Sequence, residues 1–260
     1  MGILMAGAAM TSAYAKNGPE PDKPIMYMTP AELFSNPQLR QLAVAAQKGR
    51  VKKIDALIAA GVNVNGKGKY GITPLFSAVQ VGNKKGFDAL LNHGADPNVI
   101  GTDGYTLMNQ IACCSPVPYF MEMALKHGAN PNLVEPATGK TPLIAAVTVT
   151  GKVNIPPLIK AGANLNYETP VEKTTAMMDA VLDGQFDVVY ELLEAGADYG
   201  LRDYRGKGNR GWNLENYIKF SFRANVSPEQ RQSRNRVIEF LKQHNAWSGE
   251  AVKWTPDFRQ

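Results

Sequence analysis

Apolar residues recur along this chain at helical spacing, in short stretches that come in pairs. In the first pair, Leu39, Leu42 and Ala46 fall on one face of a predicted helix, and Ile54 and Leu57 fall on one face of the next. Spacings of three and four residues place side chains on the same side of an α-helix. Similar pairs follow along the chain, and each pair is too short to bury its apolar face alone. The pattern therefore predicts paired short helices that stack on their neighbours.

A glycine closes each pair at a nearly constant interval. The first complete copy of the phrase around it runs from Asn92 to Asn98 and reads N-H-G-A-D-P-N. Each glycine falls just past an apolar helix, where a left-handed C-terminal residue is wanted. Successive glycines are separated by 33, 34, 34 and 34 residues: Gly61, Gly94, Gly128, Gly162 and Gly196. A fixed period of this length is the signature of a repeat protein.

A second phrase, G-x-T-P-L, runs in step with the first. It is complete at 71–75 and at 139–143, and degenerate at 104–107 and 173–177. Thr73 and Thr141 stand where a helix N-cap is expected, and proline suits the first helical turn. Together the two phrases resemble the ankyrin repeat. The resemblance covers roughly residues 38–200, with a decayed copy to about 245.

The resemblance implies an all-α fold, an ankyrin-repeat solenoid of stacked helix-turn-helix units with β-hairpin or loop tips. Thr29 to Glu32 has the pattern of a helix start with a reciprocal cap, and Met26 to Met28 could pack on the first repeat. We expect a signal peptide at 1–15, a Pro-rich lead-in at 16–36, a solenoid at 37–245 and a tail at 246–260. About five repeats and a degenerate C-terminal cap divide the solenoid: 37–65, 66–98, 99–132, 133–166, 167–200 and 201–245.

The first fifteen residues form an apolar run that ends in Ala13-Tyr14-Ala15 before Lys16. This small-x-small ending is typical of a signal peptidase site, although no Lys or Arg precedes the run. The pattern predicts cleavage near Ala15 and a periplasmic or secreted bacterial protein. The alternative is a disordered N-terminal extension. No apolar run is long enough for a transmembrane helix.

Candidate chemistry is sparse. Cys113 and Cys114 are the only cysteines, and we interpret them as two small, mostly buried helix residues, with a vicinal disulfide as the alternative. His93 and His127 occupy one repeat position in adjacent units, too far apart to share a zinc ion. No nucleotide-binding, hydrolase or metalloprotease motif occurs. The sequence therefore predicts a protein without catalytic activity, cofactor or metal.

By the family resemblance, the tips and inner faces line a concave groove that recognises proteins. Aromatic residues and arginine are the usual anchors of an interface. The candidate contact residues are Lys67, Lys69, Tyr70, Asp103, Tyr105, Glu172, Arg202, Tyr204, Arg205, Arg210 and Trp212. The basic stretch at 200–213, with aromatics that could stack on bases, also permits nucleic-acid binding. The predicted export and the modest net charge of +5 argue against it.

These features favour a non-enzymatic module for protein–protein interaction that is monomeric when free. Exported bacterial proteins of this plan resemble ankyrin-containing immunity or inhibitor proteins, which block a secreted toxin or phospholipase effector, for instance one delivered by a type VI secretion system. One alternative is a redox or stress accessory protein of the cell envelope that uses Cys113 and Cys114. Another is a secreted effector that binds a host protein.

Overall fold

The computed structural model describes residues 25–148, 150–200, 213–221 and 227–249. The predicted signal peptide and the basic stretch after residue 200 lie outside the described residues. Contacts divide the chain into two compact units, Met1–Gly162 and Ala163–Gln260, here called unit 1 and unit 2. Each unit consists of helices, and no helix among the described residues has the length and apolar character needed to cross a bilayer.

Unit 1 begins with a 3-10 turn at Ile25–Tyr27 and a short helix, α1, at Pro30–Leu33. Four helix pairs follow, and we call the first helix of each pair inner and the second outer. The pairs are α2 Pro37–Gln47 with α3 Val51–Ala59, α4 Pro74–Gln80 with α5 Lys84–Asn92, α6 Leu107–Cys114 with α7 Tyr119–Lys126, and α8 Pro142–Ala146 with α9 Ile155–Lys160. A 3-10 turn at Gly151–Asn154 leads into α9.

Unit 2 holds four described helices: α10 Ala176–Leu182, α11 Phe186–Glu194, α12 Leu214–Ser221 and α13 Pro228–Gln243. Helix α12 packs on α10, and α13 packs on α11. The beginning of the tail folds back on α12, because the backbone N–H groups of Ser248 and Gly249 donate to Glu215 at 2.9 and 3.0 Å. Trp254 lies outside the described residues.

The all-α fold class is confirmed, and the tips are loops in the described part of the chain. The only described β-type pairing is one isolated antiparallel bridge between Ile100 and Thr106. The first helix start follows the sequence signal, because Thr29 and Glu32 form the reciprocal cap. All five period glycines have positive φ, from 80° to 91°.

The threonine caps are only partly as expected. Thr73 and Thr141 stand at the N-cap positions of α4 and α8, but their hydroxyls make no capping hydrogen bond. The hydroxyl of Thr106 instead accepts from the N–H of Asn109 at 3.1 Å, and Thr175 caps α10 in the same way. All four threonines are buried, and only the two without a following proline cap their helices.

The final asparagine of each G-A-D/N-x-N phrase clamps the next repeat. In unit 1, the side-chain amide of Asn65 donates to Gly94 O at 3.0 Å, and its oxygen accepts from Asp96 N–H at 2.8 Å. Asn98 bonds Gly128 O and Asn130 N–H in the same two ways. An amide is the side chain that offers a donor and an acceptor together. The repeated phrase thus encodes contacts between neighbours as well as a turn.

Candidate protein-binding groove

Backbone hydrogen bonds join the tips of three successive repeats in unit 1. The N–H of Thr102 donates to Tyr70 O at 2.9 Å, and the N–H of Ala137 donates to Gly104 O at 3.1 Å. Each tip therefore holds the next one in place. Tyr70 adopts a left-handed backbone, with φ of 56°, to make this turn.

A groove lies beside these tips, at the start of the inner helices α4 and α6. Apolar side chains line most of it, including Ile72, Phe76 and Leu107. Polar groups of Asp103, Tyr105 and Gln110 complete the wall. An apolar cleft with a few directed polar groups is the usual form of a binding site.

The structure brings only part of the predicted contact set into this groove. Asp103 and Tyr105 line it, whereas Tyr70, Lys67 and Lys69 stand on the neighbouring tip. Both lysines are exposed, and the ammonium of Lys69 lies 5.9 Å from the centre of the Tyr70 ring. Asp103 also has a local task, because its carboxylate accepts from Tyr105 N–H at 3.2 Å.

Of the predicted contact residues that remain, the structure describes one. Glu172 is exposed on a tip of unit 2, near the ion pair between Lys173 and Glu168 at 3.5 Å. The remaining five lie outside the described residues: Arg202, Tyr204, Arg205, Arg210 and Trp212.

The lead-in covers part of the inner face, which the sequence did not indicate. Gln80 of α4 donates from its amide to the carbonyl oxygens of Met26 and Met28, at 2.6 and 2.9 Å. Ile25 then forms one wall of the groove. We expected residues 26–28 on the first repeat, but the hydrogen bonds attach them to the second. The sequence around Gln80 does not indicate that its side chain binds a segment more than fifty residues away.

A buried carboxylate braces the third and fourth tips. Glu135 is 5% exposed, and its Oε1 accepts from Thr106 N–H at 3.0 Å while Oε2 accepts from the Thr138 hydroxyl at 2.8 Å. Burial raises the pKa of Glu135, and the hydrogen bonds from Thr106, Thr138 and Asn109 offset part of that rise. Burial, then the charges of Glu135 and Asp103, also raise the pKa of Tyr105. The Tyr105 hydroxyl therefore keeps its proton at neutral pH.

Replacing Glu135 by glutamine should change how stability depends on pH. A raised pKa means that the folded chain binds this proton at a higher pH than the unfolded chain, whose pKa is near 4.5. The ionised carboxyl costs stability above the folded pKa, and the cost is relieved as pH falls through that value. We therefore expect the free energy of unfolding of Glu135→Gln, taken relative to that of wild type, to be higher at pH 7 than at pH 5. Urea unfolding followed by circular dichroism measures it.

Glu172→Gln is the matched control for this prediction, because it removes one carboxylate from an exposed tip. Its stability relative to wild type should be nearly the same at the two pH values. The assignment would be contradicted if the free energy of unfolding of Glu135→Gln minus that of wild type were the same at pH 5 and pH 7, or lower at pH 7 than at pH 5.

The cysteines and histidines show no enzyme-like cluster in the described part of the chain. Cys113 and Cys114 lie in α6 as expected, and they are joined in a disulfide, the pairing that the sequence left as the alternative. The two cysteines are the last two residues of α6. His93 Nε2 lies 2.8 Å from Asp55 Oδ1 on the outer helices. Among the described residues, no three potential ligands gather in a way that could hold a metal ion.

Comparison with known families decides the class of this chain. Residues 37–101 and 110–203 match the model of ankyrin repeats (3 copies), which is more than half of the chain. The chain belongs to the ankyrin repeat family. Ankyrin repeats are non-catalytic interaction modules, which supports a protein–protein interaction role for this ankyrin repeat protein.

Several curated proteins match this chain over part of its length. The putative palmitoyltransferase ZDHHC13 of Danio rerio is 31% identical over 140 residues, 54% of this chain and 21% of that protein. Cyclin-dependent kinase inhibitor 2A of Homo sapiens is 32% identical over 108 residues, 41% of this chain and 67% of that protein. The mitochondrial disaggregase of Homo sapiens is 25% identical over 198 residues, 76% of this chain and 28% of that protein. This ankyrin repeat protein thus spans about a quarter of the length of the palmitoyltransferases it matches.

Proposed function

We propose that this ankyrin repeat protein is an exported inhibitor that blocks a secreted toxin or phospholipase effector through the groove of unit 1. The observation that carries the proposal is the groove itself, where Tyr105 and Asp103 stand over an apolar floor beside three linked tips. The export pattern at 1–15 supports the location. The absence of a catalytic motif from the sequence supports inhibition by steric cover rather than by chemistry.

The groove suits a loop that presents one apolar side chain. Phe76 and Leu107 give the floor on which such a side chain is desolvated. The Tyr105 ring at the groove offers an aromatic contact of the kind that anchors interfaces. Lys67 and Lys69 on the neighbouring tip add positive charge for an acidic flank. A loop held in this way would be withdrawn from its own substrate.

The test is affinity capture by the full chain from culture supernatant and cell extract, followed by an activity assay of the captured protein. We expect one secreted hydrolase or toxin to be bound and inhibited. Tyr105→Ala should weaken that complex by about 2 kcal/mol or more, roughly 30-fold, which is the size of an interface anchor. Tyr105→Phe separates the loss of the hydroxyl from the loss of the ring.

Glu122→Ala is the control, because Glu122 is exposed on the outer helix α7. It should bind as wild type does. A captured hydrolase that keeps full activity in the complex, or a complex that Tyr105→Ala leaves unchanged, would refute inhibition through this groove.

A redox accessory role is the second candidate, and the Cys113–Cys114 disulfide is the observation that favours it. Cys113 is half-exposed, while Cys114 is buried. Native protein treated with mild reductant and then alkylated should gain mass on both cysteines if the pair is redox-active. If the two cysteines react only after the protein is unfolded, the disulfide has a structural role and no redox role.

A further inference from the structure

The turns between the inner and outer helices of unit 1 form an edge whose charged residues are all basic. The segments concerned, 47–54, 80–87, 114–118 and 150–154, contain no Asp or Glu. We call this surface the basic edge. Its cations are Lys48, Arg50, Lys52, Lys53, Lys84, Lys85 and Lys152, all of them exposed.

Direct contacts make the basic edge continuous across the four repeats. The amide of Asn83 donates to Gln47 O at 3.1 Å, which joins the first two turns. The ammonium of Lys84 lies 4.5 Å from the centre of the Tyr119 ring, which joins the second and third. The hydroxyl of Thr148 donates to Cys113 O at 3.0 Å, which joins the third and fourth. Six of the seven cations lie on the first two of these joined turns, and Lys152 lies on the fourth.

Several of these cations lie at the N-terminal ends of helices, where the helix dipole disfavours positive charge. The first turns of α3 and α5 contain lysines and no acidic residue, although the N-terminal end of a helix is positive and favours anions. Among the described residues, five of the seven cations have no acidic or aromatic partner: Lys48, Arg50, Lys52, Lys53 and Lys85.

The nearest acidic side chains are already engaged. Asp55 lies one turn further along α3 and pairs with His93 at 2.8 Å. Asp88 lies one turn further along α5 and accepts from the Tyr119 hydroxyl. The edge carries seven cations against these two carboxylates, so an excess of positive charge remains. Breaking a local rule with so little compensation is typical of a functional surface.

The composition of the edge distinguishes between kinds of anionic partner. Arginine and exposed aromatic rings, which anchor protein interfaces and stack on bases, are scarce, because six of the seven cations are lysines. Two valines lie among the cations with large exposed fractions, Val51 at 40% and Val81 at 42%. Lysines beside exposed aliphatic residues fit a phospholipid headgroup layer, where the ammonium groups meet phosphates and the aliphatic groups reach the acyl boundary.

We propose that the basic edge docks unit 1 on an anionic phospholipid surface. Helices α4, α6 and α8 run from the tips to this edge. Docking therefore leaves the tips and the groove directed away from the lipid and open to a partner. The inference goes beyond the proposed function and does not depend on it, because it concerns the opposite end of the inner helices.

Vesicle cosedimentation of the full chain tests the proposal. Wild type should bind vesicles of phosphatidylcholine with 30% phosphatidylglycerol at low salt, bind pure phosphatidylcholine weakly, and lose binding as salt rises. A variant with Lys52, Lys53, Lys84 and Lys85 changed to Gln should bind at least about 100-fold more weakly, since each basic residue near an anionic surface contributes roughly fivefold.

The matched control changes four lysines of unit 1 that lie off the edge, Lys67, Lys69, Lys126 and Lys160, to Gln. Its net charge equals that of the edge variant, and all three proteins share the same N-terminal run. The control should bind nearly as wild type does, and circular dichroism should show that both variants are folded.

Other outcomes overturn the proposal. Equal losses in the two variants would mean that net charge alone drives binding. Failure of wild type to prefer anionic vesicles would exclude a lipid surface. Displacement from the vesicles by millimolar inorganic phosphate would indicate a free-anion site. Tighter binding to an oligonucleotide, lost in the edge variant alone, would assign the edge to nucleic acid.

Discussion

Asn154→Asp is expected to destabilise unit 1 by at least about 4 kcal/mol, one of the two largest effects of a single substitution that we predict. Asn154 is 0% exposed. Its amide nitrogen donates to three carbonyl oxygens, those of Ile111, Ala112 and Ser115, at 3.2, 3.1 and 3.2 Å. One side chain from the turn before α9 thereby satisfies the C-terminal end of α6.

Aspartate would point an oxygen at those carbonyls in place of the amide. A buried carboxylate without a donor is costly, and the three carbonyls would lose their partner as well. Asn154→Ala only removes the donor, and we expect it to cost about 2–3 kcal/mol. The measurement is urea unfolding at pH 7, with hydrogen exchange of α6 amides to locate the loss.

Asn63→Asp is the control for this substitution. Asn63 is exposed, and only its side-chain oxygen is used, to accept from Asn65 N–H at 2.9 Å. Asp96 makes the same bond to Asn98 N–H in the next repeat, so aspartate suits the position. This variant should stay within about 0.5 kcal/mol of wild type. Equal stability losses in Asn154→Asp and Asn63→Asp would show that the buried amide does not hold the two repeats together.

The second large effect is expected for Gly86→Ala. Gly86 lies in the first turn of α5, and a Cβ there would be 1.9 Å from the carbonyl oxygen of Ala46. No real Cβ approaches a backbone oxygen so closely, so α5 would have to move away from the end of α2. Overpacking that displaces backbone costs about 3 kcal/mol or more, which outweighs the roughly 1 kcal/mol that alanine gains over glycine in a helix.

Gly94→Ala separates this clash from the ordinary cost of replacing a glycine. Gly94 has φ of 80°, and nothing lies within 4 Å of its ideal Cβ. Alanine is disfavoured there only by the left-handed backbone, which should lower the free energy of unfolding by about 1 kcal/mol. In thermal unfolding, the Tm of Gly86→Ala should therefore be well below that of Gly94→Ala. The reverse order would mean that α5 and α2 separate easily, and that the close packing does not support the repeat.

The sequence also identified two residues of the candidate groove. Tyr105 and Asp103 could be named because an aromatic and a carboxylate on a predicted tip are typical contact residues, and both line the groove. Gln80, Ile25 and Glu135 could not be named. Each acts through a partner far away in the chain, and no local pattern identifies which polar side chain will meet a distant backbone group.

What the sequence determined by itself is the set of features that depend on local chemistry and on period. The fixed glycine spacing, the helix start at Thr29 and the left-handed turns all follow from the conformations that single residues prefer. The ankyrin fold class follows from their repetition.

Only the tertiary structure decided which polar groups are satisfied and by what. The hydroxyls of Thr73 and Thr141 stand at cap positions without capping, whereas Asn154 caps a helix from a different repeat. Burial and packing make that choice, because a donor in a stacked array bonds whichever acceptor its neighbour brings within reach. The basic edge has the same origin: its lysines are scattered along the sequence, and stacking alone gathers them on one side of unit 1.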